Sequence, residues 1–304
     1  MRRGHVLDPT ELYEIDPDAP DGEQVPVLVH QLNGYIDAGH AGRLAVRQLL
    51  DTLPSTVVAT FDVDQLIDYR SRRPNMTFHR DHWADYDEPV LALHRVTDLD
   101  GTTFLLLTGP EPDTQWERFI AAVTGLVERY GVELTVGLNA IPMAVPHTRP
   151  AGVTAHATRP ELISHYEPWS NTAELPGSAG ALLELRLGQA ERDAMGLAAH
   201  VPHYLSETEY PQAATALLEH LAANTGLNLP TDALLRAAET VGAEVERKVA
   251  ESDQAAKVVQ ALERRYDNEI NAQGRPSLLA EDQELPDAEE LGAEIERFLA
   301  EQES

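Results

Sequence analysis

Between residues 27 and 50 a buried strand, a glycine-rich turn and a helix follow one another, and that order restricts the fold more than any other stretch. The apolar run Val27-Leu-Val-His-Gln-Leu32 leads into Gly34-Tyr-Ile-Asp-Ala-Gly-His-Ala-Gly42, after which Leu44, Val46, Leu49 and Leu50 recur at helical spacing. Proteins of the α/β class place binding sites at such a turn. This one has neither G-x-G-x-x-G spacing nor a closing Gly-Lys-Ser/Thr, so it matches neither standard phosphate loop. It marks a place more clearly than a chemistry.

The same alternation continues. Thr56–Phe61 reads as a buried strand, and 62–88 as a long connection on the active face with a short strand near 76–80. Val90–Val96 and Thr103–Thr108 flank the turn Asp98-Leu-Asp-Gly101 and predict a hairpin. A helix over 114–130 follows, with Trp116, Phe119, Ile120, Val123 and Val127 on one face, Asp113 or Thr114 as N-cap and Gly131 as its stop. Val132–Leu138, Val153–Ala157 and Met195–Val201 read as strands, Ser178–Leu187 and Tyr210–Asn224 as helices. Strands too apolar for one solvated face require cover on both sides. The expected class is therefore α/β: a mixed, mostly parallel sheet flanked by helices, with a C-terminal helical extension. Residues 1–24 form an acidic leader whose Leu12 and Tyr13 could pack on the body; 25–230 form the core, and 231–304 a helical hairpin or arm. Within that arm, one long helical pattern from Thr231-Asp232 is broken by Gly274-Arg-Pro276, and a second helix spans Glu289–Glu301.

Composition removes function classes. With no cysteine in 304 residues, disulfides, thiolate catalysis, Cys-ligated zinc and iron–sulfur clusters are excluded. A net charge of −28 opposes binding to nucleic acid and to anionic membrane surfaces. No apolar stretch approaches the ~20 residues of a membrane span. The first residues lack the apolar core of a secretory signal, so a cytoplasmic protein is expected. Lys248 and Lys257 are the only lysines, which leaves the first 247 residues without a Schiff-base or phosphate-loop lysine.

Several clusters are chemically suggestive. Asp37 and His40 could form a catalytic dyad, although Asp before a helix more often caps backbone N–H groups. Asp64, Asp68, Tyr69, Arg70, Arg72 and Arg73 suit either a salt-bridge network or an anion site. Pro146-His-Thr-Arg-Pro150 is a stiffened loop after a strand. His200-Val-Pro-His203 and His79-Arg-Asp-His82 have ligand-pair spacing without a third ligand nearby, so no metal is expected. No Ser stands in a Gly-x-Ser-x-Gly elbow.

Taken together, Gly34-Tyr-Ile-Asp-Ala-Gly39, Asp64–Arg73, Leu107-Thr-Gly-Pro-Glu-Pro-Asp113, Val145-Pro-His-Thr-Arg-Pro150 and His200-Val-Pro-His-Tyr204 before Tyr210-Pro211 resemble the proteasome assembly chaperone family, second-chaperone type, and within it the actinobacterial uncharacterised branch. The resemblance implies a phosphorylase- or hydrolase-like α/β fold with added C-terminal helices, and a relationship to chaperones that guide assembly of proteasome α-subunit rings. The expected function is a non-enzymatic protein-interaction module with protein partners, proteasome subunits among them, that forms homo-oligomers and uses no cofactor. The alternative is a binder of, or enzyme for, an anionic or nucleoside-like small molecule. Its site would be the cleft beside Gly34–Gly42, with Gly34, Asp37, Gly39, His40, Arg70, Arg73, His147 and Arg149 as ligand-binding candidates and no known catalytic residue.

Overall fold

The computed structural model describes residues 7–20, 22–166 and 172–272. In chain order the elements are β1 (Tyr13–Ile15), β2 (Val27–Asn33), α1 (Ala41–Thr52), β3 (Ser55–Phe61), β4 (Met76–His79), β5 (His82–Tyr86), β6 (Ala92–Thr97), β7 (Thr103–Pro110), α2 (Trp116–Arg129), β8 (Leu134–Met143), β9 (Val153–Ala157), α3 (Ala179–Gln189), β10 (Asp193–Pro202), α4 (Pro211–Thr225), α5 (Asp232–Ala250) and α6 (Asp253–Ala272). Eight strands form one sheet in the order β1-β3-β6-β7-β2-β8-β10-β9, and β4 and β5 form a second sheet of two. Strand β2 runs parallel to β7 and to β8, whereas β1/β3, β3/β6 and β6/β7 are antiparallel. The expected mixed α/β sheet with flanking helices is the observed one.

Two compact units divide the chain: Met1–Tyr35, Leu53–Gly137 and Pro176–Met195 in the first, and Ile36–Thr52, Leu138–Leu175 and Gly196–Ser304 in the second. In the first unit β7 carries Phe104-Leu-Leu-Leu107, each fully buried. A run without polar alternation has no solvated face, which is why this strand sits inside the sheet. Helix α2 lays Phe119, Ile120, Val123, Leu126 and Val127 on the same core. The rings of Phe61 and Phe119 stand 5.3 Å apart. Leu12 is fully buried and Tyr13–Ile15 pairs with β3, so this part of the acidic leader is built into the core sheet.

The start of α2 differs from expectation. Its N-cap is Gln115, in the left-handed region at φ 58°, and makes no capping bond. Asp113 is engaged elsewhere, accepting from Asp68 N–H at 2.8 Å and pairing with Arg72, while Thr114 Oγ1 donates to Gln65 O at 3.1 Å. Both expected caps hold the preceding connection instead.

In the second unit α1 packs on α4, α4 on α5 and α5 on α6. The single long helix expected from Thr231 is two. Helix α5 ends at Ala250 with Glu251 as its C-cap, and Ser252 Oγ accepts from Ala255 N–H at 3.3 Å to start α6. Ser-Asp at 252–253 is an N-cap signal that near-heptad spacing had masked. Val245, Ala255, Val259 and Leu262 are buried. The expected break at 274–276 and helix at 289–301 lie outside the described residues.

Candidate functional site

The parallel strands β2 and β7 bring their carboxyl ends together in the first unit, where α/β sheets usually bind ligands. Glu111, the residue after β7, is only 7% exposed. Its Oε1 accepts from Ala179 N–H at the start of α3 at 2.6 Å, and Oε2 accepts from Tyr35 N–H at 3.3 Å. A carboxylate is favoured there because a helix N-terminus carries unpaired N–H groups and a partial positive charge. Gly34 is glycine for a related reason: a Cβ would lie 1.8 Å from Glu111 Oε2. The cation at these strand ends is Arg72, whose guanidinium donates to Asn33 O at 2.9 Å, to Glu111 O and to Asp113. Arg70 and Arg73, the candidates named from sequence, are exposed, and neither guanidinium has a partner among the described residues.

The second unit holds the rest of the glycine-rich turn. Asp37 Oδ1 accepts from Gly42 N–H at 2.7 Å and Oδ2 from Arg43 N–H at 3.1 Å, so its carboxylate caps α1. Burial raises its pKa, against the opposing effect of those two N–H groups and of Arg43 and His40. His40 turns instead to the Arg43 guanidinium, which donates to Nδ1. His40 meets Asp37 through the backbone alone, its N–H donating to Asp37 O at 2.9 Å, and among the described residues no side-chain hydrogen bond joins the two, so the imagined dyad is absent. Gly39 donates its N–H to Ser206 O at 2.6 Å and accepts from Tyr210 N–H at 2.8 Å. A Cβ on it would stand 2.7 Å from Tyr210 Cβ, so this glycine permits close backbone packing.

The loop after β8 splits its two candidates. His147 faces inward, 7% exposed, with Nδ1 2.7 Å from Tyr204 OH, which also accepts from His147 N–H at 3.0 Å. Burial depresses the His147 pKa, partly offset by Glu246 and Glu263, and burial pushes the Tyr204 phenol up. His147 Nε2 is buried without a hydrogen-bond partner among the described residues. Arg149 faces α6, paired bidentately with Asp267 at 2.9 and 2.7 Å. Glu263 of α6 accepts from Thr148 Oγ1 at 2.6 Å. His200 Nε2 lies 2.8 Å from Thr154 Oγ1, and among the described residues no group of three His, Cys, Asp or Glu is placed to hold a metal.

Sequence reasoning named Arg72 in a salt-bridge or anion cluster without its partners, and missed Glu111 and Tyr204 as organising residues. Only Glu111 carried a signal, being an acid held between two prolines directly after a buried strand. The short strand expected near 76–80 is β4, but its partner β5 was missed, and with it a hairpin in which every residue is exposed. Trp83 is 62% and Phe78 55% exposed, their rings 5.1 Å apart and edge-on; Met76 and Tyr86 are exposed beside them. A lone two-stranded hairpin is marginal in water, and clustered exposed aromatics mark interaction surfaces.

Residues 31–249 match the family model described as the PAC2 family. No curated protein matches the chain. Among solved structures, the Mycobacterium tuberculosis protein Rv2714, of unknown function, is 48% identical, with 90% of this chain and 94% of that one covered and a TM-score of 0.83. A Corynebacterium glutamicum protein of unknown function is 41% identical over 86% of this chain and 99% of its own, also at 0.83. The M. tuberculosis proteasome-assembly chaperone homologue Rv2125 is 24% identical over 77% of this chain and 99% of its own, with a TM-score of 0.71, and shares the fold.

Proposed function

Since this chain belongs to the PAC2 family, we propose that it is a protein-interaction module of the proteasome-assembly kind and not an enzyme. The observation that carries this reading is the hairpin β4–β5, which offers Met76, Phe78, Trp83 and Tyr86 to solvent. Exposed aromatic side chains give large contact area at low entropic cost. The candidate catalytic groups point the same way. Arg72 and Arg149 are neutralised by the chain's own carboxylates, and Asp37 and Glu111 are spent on backbone N–H groups. The hairpin also suits self-association, and the proteasome α-subunits are the proposed external partner. This reading implies a cytoplasmic protein; no helix among the described residues is long and apolar enough to cross a membrane.

Immobilised protein in native extract at low salt is expected to recover proteasome α-subunits, and Trp83→Ser to lose them. Recovery of none removes the proteasome part. Light scattering on a sizing column is expected to give wild type a mass above that of one chain, reduced by the same substitution. The buried Nε2 of His147 favours a second reading, a ligand accepting that hydrogen bond. A rise in Tm with nucleosides or phosphorylated metabolites, lost in His147→Phe, would establish it.

A further inference from the structure

The turn of the β4–β5 hairpin brings together the two imidazoles whose ligand-pair spacing the sequence shows. His79 and His82 are direct cross-strand partners, so their side chains leave the same face of the hairpin. The ring centres are 5.7 Å apart. At an ordinary metal–nitrogen distance of about 2.1 Å, each ring centre would stand roughly 3.2 Å from a shared ion, and a tetrahedral angle would separate the centres by about 5.2 Å. The observed pair is within about half an ångström of that, with the ring planes inclined at 65°. His82 Nδ1 lies 2.9 Å from Asp81 Oδ1. An ionised carboxylate only accepts, so Nδ1 carries the proton and Nε2 keeps its lone pair for a ligand. A carboxylate behind an imidazole is the usual arrangement behind metal-binding histidines. Both residues are exposed, and among the described residues no hydrogen-bond partner engages the His79 imidazole.

We propose that His79 and His82 form a divalent transition-metal site at the hairpin turn, with Asp81 orienting His82. Two neutral imidazoles select Zn2+, Ni2+ or Cu2+ over Mg2+ and Ca2+, which prefer oxygen. No third His, Cys, Asp or Glu completes the site among the described residues, so water fills the remaining positions and the ion stays exchangeable. Bound metal would bridge β4 to β5 and stiffen a hairpin that, among the described residues, has no other strand beside it. The proposal does not depend on what the hairpin binds.

Calorimetric titration of the full chain with Zn2+ tests it. The double variant His79→Ala/His82→Ala is expected to bind at least tenfold more weakly than wild type. Asp81→Asn is expected to lose about tenfold, as second-layer carboxylates typically do. Trp83→Ser, which leaves both imidazoles in place, should bind Zn2+ as wild type does even if it loses protein partners. Zn2+ should also slow amide exchange across 76–86 in wild type and not in the double variant. A double variant that binds Zn2+ within threefold of wild type, or exchange unchanged by Zn2+ in wild type, overturns the proposal.

Discussion

Two hairpins of the first unit have the same plan and opposite fates. In β6–β7 the strands are antiparallel, residues 98–102 link them, and Phe104 to Leu107 are fully buried. In β4–β5 the strands are also antiparallel and carry Phe78 and Trp83, yet every position is exposed. Apolar content is therefore not what separates them. Strand β7 has a parallel neighbour, β2, and a helix layer above it, whereas among the described residues β4 and β5 pair only with each other. The same side chains that stabilise a fold in one hairpin are left available to a partner in the other.

The widest separation should appear in equilibrium unfolding. Phe104→Ala is expected to cost about 3–5 kcal/mol through lost transfer energy and the cavity left behind, while Trp83→Ala stays within about 0.5 kcal/mol. A comparable loss for Trp83 in urea titrations would mean that the outer hairpin belongs to the folded core. A smaller contrast lies in the turns. Asp98 is buried and accepts from Asp100 N–H at 3.0 Å and Thr102 N–H at 2.7 Å, holding the inner turn. Asp98→Ala is expected to cost about 1–3 kcal/mol, because both amides lose their acceptor. Its counterpart Asp81→Ala, at the fully exposed turn, should leave the urea midpoint unchanged.

The smallest expected effect sharpens the comparison most. The inner turn puts Gly101 at φ 88°, whereas the outer one puts Arg80 at φ 58°. A residue with a Cβ is strained there and glycine is not. Gly101→Ala should destabilise by about 1 kcal/mol, and Arg80→Gly should slow amide exchange in 76–86 without moving the global midpoint. Faster exchange in Arg80→Gly would show that the guanidinium, not the backbone, holds the outer turn.

Acidification separates the halves of the chain in another way. Burial lowers the pKa of His147, His203 and His220 in the second unit, and of His94 in the first. Depressed histidines bind fewer protons folded than unfolded, so stability is full above the ordinary value near 6.5 and falls as pH drops below it. Amide exchange at pH 5.5 is expected to accelerate more in α4 and around Tyr204 than in β6 and β7. Equal acceleration in both would remove the assignment.

Element identity was legible in the residues alone, because periodicity and caps are local properties. Strands β2, β7 and β8, helices α2 and α4 and the turn at Asp98 all follow from spacing within ten to twenty positions. Asp37 as a helix cap was legible for the same reason. Partner choice was not. Arg70, Arg72 and Arg73 are equivalent in sequence, and only the fold turns Arg72 onto Asn33 and Glu111 while leaving the other two in solvent. His147 and Arg149, two positions apart, end on opposite environments, one against Tyr204 and one against Asp267. Glu111 acquires its role from Ala179, a residue 68 positions away. Whether an apolar strand is covered, and which charge meets which, depends on elements distant in the chain, so those outcomes belonged to the tertiary structure.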